Sequence, residues 1–371
     1  MPFFASSPDD PDIRTSPLSF AKLMAVERLN ISDDCAGAAA NGTEKVEVFR
    51  ALELASPPGR TNMAFGGHVY AQSAYAASKT VEKGYVIHNI SGTFILPGRI
   101  DVPFVYTVRR IRDGGVYCLR AVDARQEGKI CFSCLCSFKR REPKQCSYSH
   151  QPAADIGNRY RSVLEGKGPE DHPIAPGIDA PWWEEGVKKG DFTECEFPGV
   201  EVRKVDMGRY NETDEVRKNP HTYRQLQFYR LRGSPDGEEN PEDREKIKSQ
   251  DRAGEYDNLY ACAHMYASDK NSLFVITRAL GQANNWVTMA SLSLTVVFHE
   301  HGEALRMIDW DSTKQMEGLQ KKWFVQEAWT SRSGENRGLH ESRLWSPDGT
   351  LLATTLQDSM IRFKNTVSEK L

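Results

Sequence analysis

The sequence predicts an α+β chain in which one helix embraced by an antiparallel sheet occurs twice. Three observations carry this. A helix of small residues is followed by four strand-like segments in the first half. A second helix followed by strands returns in the last third. Both series carry a tight turn before their final strand, at Glu127-Gly128 and again at Ser346-Pro347-Asp348-Gly349.

The elements follow in order. Residues 1–16 are polar and rich in Pro, Ser and Asp, a composition that cannot bury a core. Residues 17–30 fit a short amphipathic helix, and 46–54 read as a strand ending at Pro57-Pro58-Gly59. In residues 65–81, Gly66-Gly67 open a helix whose Ala71, Ala74, Ala76, Ala77 and Ser78 let a sheet approach on several sides. Residues 85–141 alternate as strands between turns at Pro97-Gly98, Gly114-Gly115 and Glu127-Gly128, which gives an antiparallel meander. Residues 142–195 are rich in Pro, Gly and acidic residues and read as a linker, with Trp182-Trp183 as its anchor. Strands at 196–206 and 224–232 flank a charged, loop-like insert at 233–255. A helix is expected over 256–274, then strands at 286–299, 321–332, 338–346 and 350–364. The expected division is an extension over 1–45, a first repeat over 46–142, a linker over 143–194, a second repeat over 195–365 and a tail over 366–371.

Composition excludes several classes. With 39% hydrophobic and 27% charged residues, the chain of 371 residues has the makeup of a globular protein with real cores. A formal net charge of −3 supplies no global basic field for nucleic acid. No apolar run approaches the 18 or so residues of a membrane-spanning helix, and the first residues lack the basic and apolar regions of a secretory signal. Eight cysteines are therefore expected as thiols. Cys131, Cys134 and Cys136 sit close in sequence, but no second ligand pair accompanies them. They read as strand thiols, and no metal is expected. The terminal Glu369-Lys370-Leu371 matches a peroxisomal Ser-Lys-Leu address at two of three positions, or is a plain polar tail.

Four polar residues, at three places in the chain, interrupt apolar patterns. Asp269 falls on the apolar stripe Leu259, Cys262, Tyr266 and Leu273, where a carboxylate needs hydrogen-bond partners. It could orient or deprotonate water, or cap the helix in a Ser-Asp-Lys-Asn turn. Ser291 and Ser293 alternate with Ala290, Leu292 and Leu294, and could line a site or be ordinary half-exposed serines. Gln357 stands between Leu356 and Asp358; its amide suits holding a water or a carbonyl, or simply faces outward.

Phe65-Gly66-Gly67-His68-Val69, Phe94-Ile95-Leu96-Pro97-Gly98, Tyr266-Ala267-Ser268-Asp269-Lys270-Asn271, Phe298-His299 and Gln357, in this order and spacing, resemble the acyl-CoA thioesterase II family over roughly residues 46–364. The resemblance implies a double hot-dog, two helix-in-sheet repeats in one chain. It implies hydrolysis of acyl-CoA with no cofactor, by a water held between Asp269, Ser291 and Gln357. It also places Gly67 and His68 at the substrate, although His68 could equally cap its turn and stands where the family usually has Gln. Ser-Leu-Ser-Leu-Thr-Val-Val before Phe298 lacks the family's common Asp-His pair. Aligning Gly128 with Gly349 sets Cys136 opposite Gln357, so one active site per chain is expected. Expected partners are acyl-CoA, a second copy paired along a strand edge and, for a peroxisomal chain, an import receptor; a cytoplasmic chain would need none.

Competing readings are weaker. No G-x-S-x-G nucleophile elbow occurs, and His299-Glu300-His301 lacks HExxH spacing. A hot-dog hydratase or dehydratase would need His five residues after Asp269, where Phe274 stands. A non-catalytic acyl-CoA-binding scaffold would have no use for intact Asp269 and Gln357. Arg109-Arg110 and Lys139-Arg140-Arg141 are candidate phosphate contacts that could equally be solvated strand ends.

Overall fold

A computed structural model describes residues 17–30, 45–58, 62–142, 150–194, 196–237, 239–311 and 319–364. The strands are β1 (Val26–Leu29), β2 (Val46–Ala51), β3 (Tyr85–Phe94), β4 (Val105–Asp113), β5 (Tyr117–Gln126), β6 (Lys129–Arg140), β7 (Val200–Lys204), β8 (Gln225–Leu231), β9 (Trp286–Phe298), β10 (Phe324–Trp329), β11 (Ser333–Gly334), β12 (Arg337–Trp345) and β13 (Leu351–Phe363). The helices are α1 (Phe20–Met24), α2 (Gly66–Ser78), α3 (Ile156–Arg159), α4 (Arg161–Leu164), α5 (Pro181–Lys189), α6 (Gly208–Asn211), α7 (Asp214–Lys218), α8 (Arg244–Arg252), α9 (Asp257–Ser268) and α10 (Ser272–Ala279).

All strands join one sheet in the order β1-β2-β4-β5-β6-β3-β9-β13-β12-β10-β8-β7, with β11 beside β12. The two halves meet where β3 pairs antiparallel with β9, from Asn89 opposite Val297 to Thr93 opposite Ser293. The sheet wraps α2 and α9, which pack on each other. In α2, Ala71, Ala74, Ala76 and Ala77 are fully buried on several sides, as their small size allows. Burying small residues all round is what lets strands close about a helix. In α9, His264 joins Tyr229 Oη through Nδ1 and the Leu305 carbonyl through Nε2, which ties the helix to β8 and to the segment after β9.

Four expectations need correction. Residues 17–30 are not one helix: α1 ends at Ala25, and Val26–Leu29 pair with β2 from Val26 opposite Ala51. The edge of β2 offers unpaired backbone groups, and pairing there outweighs a second helical turn. The linker region carries α3, α4 and α5, and its tryptophans do anchor it. Trp183 is buried and stacks on Phe192 at 4.9 Å, and Trp182 lies beside Trp286. The charged insert holds helix α8, whose Ile247 and Asp251, one turn apart, face inward while Trp310 Nε1 donates to Asp251. The helix expected over 256–274 breaks at Asp269-Lys270-Asn271, because Asn271 takes a left-handed φ of 60° and α10 sets off anew from Ser272.

Cys131, Cys134 and Cys136 are buried free thiols of β6, as their alternation implied. The candidate phosphate cations Arg110, Lys139, Arg140 and Arg141 pair instead with Glu47, Glu142, Glu82 and Glu303. No described helix is long and apolar enough to cross a membrane. Cys35, Cys146 and Cys195, part of the Pro57-Pro58-Gly59 turn and the terminal Glu369-Lys370-Leu371 lie outside the described residues.

Candidate active site

The break between α9 and α10 is the centre of the site. Asp269 caps α9, and its carboxylate is buried. Oδ1 accepts from Gln357 Nε2 at 2.7 Å and from Ser272 Oγ at 3.0 Å. The Gly67 N–H also donates to this carboxylate. Burial pushes Asp269 up to about 6, against the lowering pull of Gln357, Ser272 and Gly67. A carboxylate with that value is ionised at neutral pH and still basic enough to take a proton.

Gln357 is fully buried on β13 and bridges the other two residues. Its Nε2 donates to Asp269 and, at 2.7 Å, to Ser291 Oγ on β9. A carboxylate can only accept, so the amide nitrogen must face Asp269, and this fixes the amide's orientation. Its Oε1 has no hydrogen-bond partner among the described residues.

Ser291 reaches this position through a β-bulge. Gln357 pairs with Leu294 and Asp358 with Ser293, but Ser359 pairs with Ser291. Leu292 is the extra residue. A bulge reverses the alternation on one side of it, so Ser291 shares the inner face with Gln357 while Ser293 pairs with Asp358 across the other face. The expectation that Ser291 and Ser293 share one face is therefore wrong. Ser291 is half-buried, the only one of the three that is not fully enclosed.

The first half contributes the N-terminus of α2. A Cβ on Gly66 would stand 3.2 Å from Asp269 Oδ2, and one on Gly67 would stand 2.6 Å from the Phe65 ring and 3.0 Å from Asp269 Cβ. Only glycine permits this approach. It brings first-turn N–H groups, with their partial positive charge, to the carboxylate. His68 does not join them. Its buried ring meets Gln72 Oε1 through Nε2 at 3.1 Å, Gln72 also accepts from Tyr106 Oη, and burial lowers the imidazole to about 4.

Several supporting residues carried no signal that sequence reasoning used. Lys270 is buried, donates to the Pro176 and Gly177 carbonyls and lies 4.7 Å from the Phe197 ring. Burial lowers it to about 8, with Glu194 and Asp179 opposing. Asn271 Nδ2 also donates to Pro176, so the 176–177 segment is clamped to the site. Gln326 Nε2 holds the Ser268 carbonyl at 2.8 Å. Phe20, Phe65 and Phe197 surround Tyr266 beneath the turn. An open cavity of about 890 Å³ lies between α6, α7 and the end of α10; it touches this site only at Pro176 and is not lined by Asp269, Ser291 or Gln357.

The first half has no such grouping among its described residues. Lys79 caps α2 where Asp269 caps α9. Cys136, in the place of Gln357, is a buried thiol pushed well up by burial.

Two family models match the chain, the acyl-CoA thioesterase N-terminal domain over residues 55–139 and the acyl-CoA thioesterase C-terminal domain over 201–361. Acyl-coenzyme A thioesterase 8 of Mus musculus is 27% identical over 308 residues, 82% of each chain. An acyl-CoA thioesterase II from Mycobacterium marinum aligns in structure with a TM-score of 0.58 at 21% identity, over 94% of this chain and 99% of that one. A protein with a hot-dog fold from Alicyclobacillus acidocaldarius aligns with a TM-score of 0.55 at 16% identity, over 93% and 98%. The helix-in-sheet architecture is thus that of the hot-dog fold.

Proposed function

Since the chain belongs to the acyl-CoA thioesterase family and is a thioester hydrolase, we propose that it cleaves acyl-CoA by direct attack of one water held between Asp269, Ser291 and Gln357. The observation that carries this reading is the pair of 2.7 Å hydrogen bonds from Gln357 Nε2, which draw three residues from separate segments into one cluster. Asp269 orients the water and takes its proton as it attacks the thioester carbon. Ser291 and Gln357 hold the water's remaining positions. The tetrahedral oxyanion forms beside the first turn of α2, where the Gly66 N–H and the positive end of the helix stabilise the developing charge while the Gly67 N–H stays on Asp269. CoA leaves as a thiolate, a good enough leaving group that no strong acid is required.

Each chain then has one such site. The divisions at 46–142 and 195–365 are the two hot-dog repeats, the first supplying Gly66-Gly67 and the second the polar trio. The segment 143–194 joins them, with 1–45 and 366–371 as extensions. Side-by-side pairing of chains along a strand edge, and import to the peroxisome through a receptor for Glu369-Lys370-Leu371, with a cytoplasmic location as the alternative, belong to the same reading. The hydratase reading lacks support, since Phe274 packs on Trp286 where that chemistry would need a histidine.

The test is thiol release from acyl-CoAs of graded length by the full chain. Activity must be present in the natural protein and lost in Asp269→Ala with its fold retained by circular dichroism. Full activity in that folded variant would refute the mechanism.

A further inference from the structure

Around Gln357 the inner face of the sheet is polar where an acyl chain of plain hydrocarbon would want apolar lining. His340 on β12 stands directly opposite Gln357 on β13, and directly opposed residues share a face. It is 1% exposed, and neither ring nitrogen has a hydrogen-bond partner among the described residues. Ser359, two residues along β13, is fully buried with an unpartnered Oγ. Gln357 Oε1 between them is unpartnered as well. The same face continues outward through Gln227, whose amide is unpartnered at both ends, to Gln225, which opens on the 890 Å³ cavity.

Each buried, unmade hydrogen bond costs about 1–3 kcal/mol, and folded proteins satisfy nearly all of them. Three such groups on adjacent positions therefore point to a partner from outside the chain. Helix α10 roofs the place: a Cβ on Gly338 would stand 2.6 Å from Ile276 Cγ2. The partner's chemistry follows from the imidazole. Burial lowers His340 to about 3, so it is neutral, with one nitrogen donating and the other accepting. A neutral ring and a hydroxyl suit a hydroxyl or keto oxygen; they offer no cation for a second carboxylate. Strands lie about 5 Å apart. A group held one strand from Gln357 therefore sits on the acyl carbons nearest the thioester.

Resting on the thioesterase reading above, we propose that this site takes acyl-CoA whose acyl chain bears a hydroxyl or keto oxygen close to the thioester, and that His340 and Ser359 bind that oxygen. An unsubstituted chain laid over them would leave both unpaired, so the preference is built into the ground and transition states alike.

The experiment compares kcat/KM for unsubstituted acyl-CoA with chains of equal length oxygenated at carbon 2, 3 or 4, as hydroxyl or ketone. At least one oxygenated substrate is expected to exceed the plain one by about tenfold or more. In His340→Leu, and independently in Ser359→Ala, that ratio is expected to fall toward one. If His340→Leu fails to fold, Ser359→Ala and the natural chain still decide. Equal kcat/KM for plain and oxygenated substrates, as expected if these groups merely hold buried water, overturns the proposal, and so does a ratio unmoved by either substitution. Hydrolysis without discrimination leaves the thioesterase reading standing, whereas no thiol release from any acyl-CoA would sink that reading instead.

Discussion

Replacing Gln357 with leucine removes an amide of similar bulk and leaves Asp269 with only Ser272 and the Gly67 N–H to support its charge. Asp269 stands at about 6 with Gln357 in place, and the Gln357 hydrogen bond is the first of the contacts that lower it. A hydrogen bond to a charged group is worth about 1.5–3 kcal/mol. One pKa unit corresponds to about 1.4 kcal/mol, so the midpoint should climb by roughly one to two pH units. As the proposed base, Asp269 must work ionised. Activity is therefore lost as pH falls through its midpoint, and a higher midpoint moves the acid limb to higher pH. The natural chain should keep roughly a tenth of its plateau one unit below its midpoint. In Gln357→Leu the same loss should appear near neutral pH. The plateau should also drop by about a hundredfold, since in the proposed mechanism the water loses one of its holders. The assay is initial thiol release at subsaturating acyl-CoA across the pH range in which the fold persists. An acid limb that stays in place, or moves to lower pH, would refute the assignment of Asp269 as the base supported by Gln357.

Ser291→Ala should lower kcat/KM by about ten- to a hundredfold, while Ser293→Ala should remain within about twofold, because the bulge at Leu292 puts only Ser291 beside Gln357; equal effects would contradict the register. Asp269→Asn should lower kcat by a hundredfold or more. Its stability should also respond to pH differently from that of the natural chain. A raised folded-state value means that the natural chain gains stability as pH falls from about 6 to 4, by at most about 3 kcal/mol, and the asparagine variant does not. Thermal unfolding of the two across that window should therefore diverge in the natural chain's favour toward acid, and parallel curves would contradict the burial of the charge. Gly67→Ala should lower both the melting temperature and kcat/KM, because its Cβ would stand 2.6 Å from the Phe65 ring and 3.0 Å from Asp269 Cβ. An alanine variant with natural kcat/KM would count against a role for the α2 N-terminus.

Much of this fold is legible because its grammar is local. Alternating strands β3 to β6 and the glycine turns before β6 and β13 follow from residue types alone, and the small residues of α2 announce a wrapped helix. The polar interruptions at Asp269 and Gln357 are legible too, since a polar group in an apolar run must find a partner. What escaped is tertiary. The bulge at Leu292 leaves no mark in a run that alternates cleanly, yet it decides which serine faces Gln357. The break at Asn271 is hidden by an apolar stripe that continues to Leu273. Residues 142–195 look like a spacer by composition, and only the contacts of Lys270 and Asn271 with Pro176 reveal that the segment holds the Asp269-Lys270-Asn271 turn in place. His340 reads as an ordinary strand residue until its cross-strand neighbour is known.

Whether water attacks directly is tested most sharply by quenching the enzyme in acid during turnover in water enriched in heavy oxygen, then weighing both protein and product. Direct attack by a water held at Asp269, Ser291 and Gln357 predicts a protein of unaltered mass and one heavy oxygen in every acid released. A protein heavier by the acyl group, carried on Ser291 or Asp269, would contradict it.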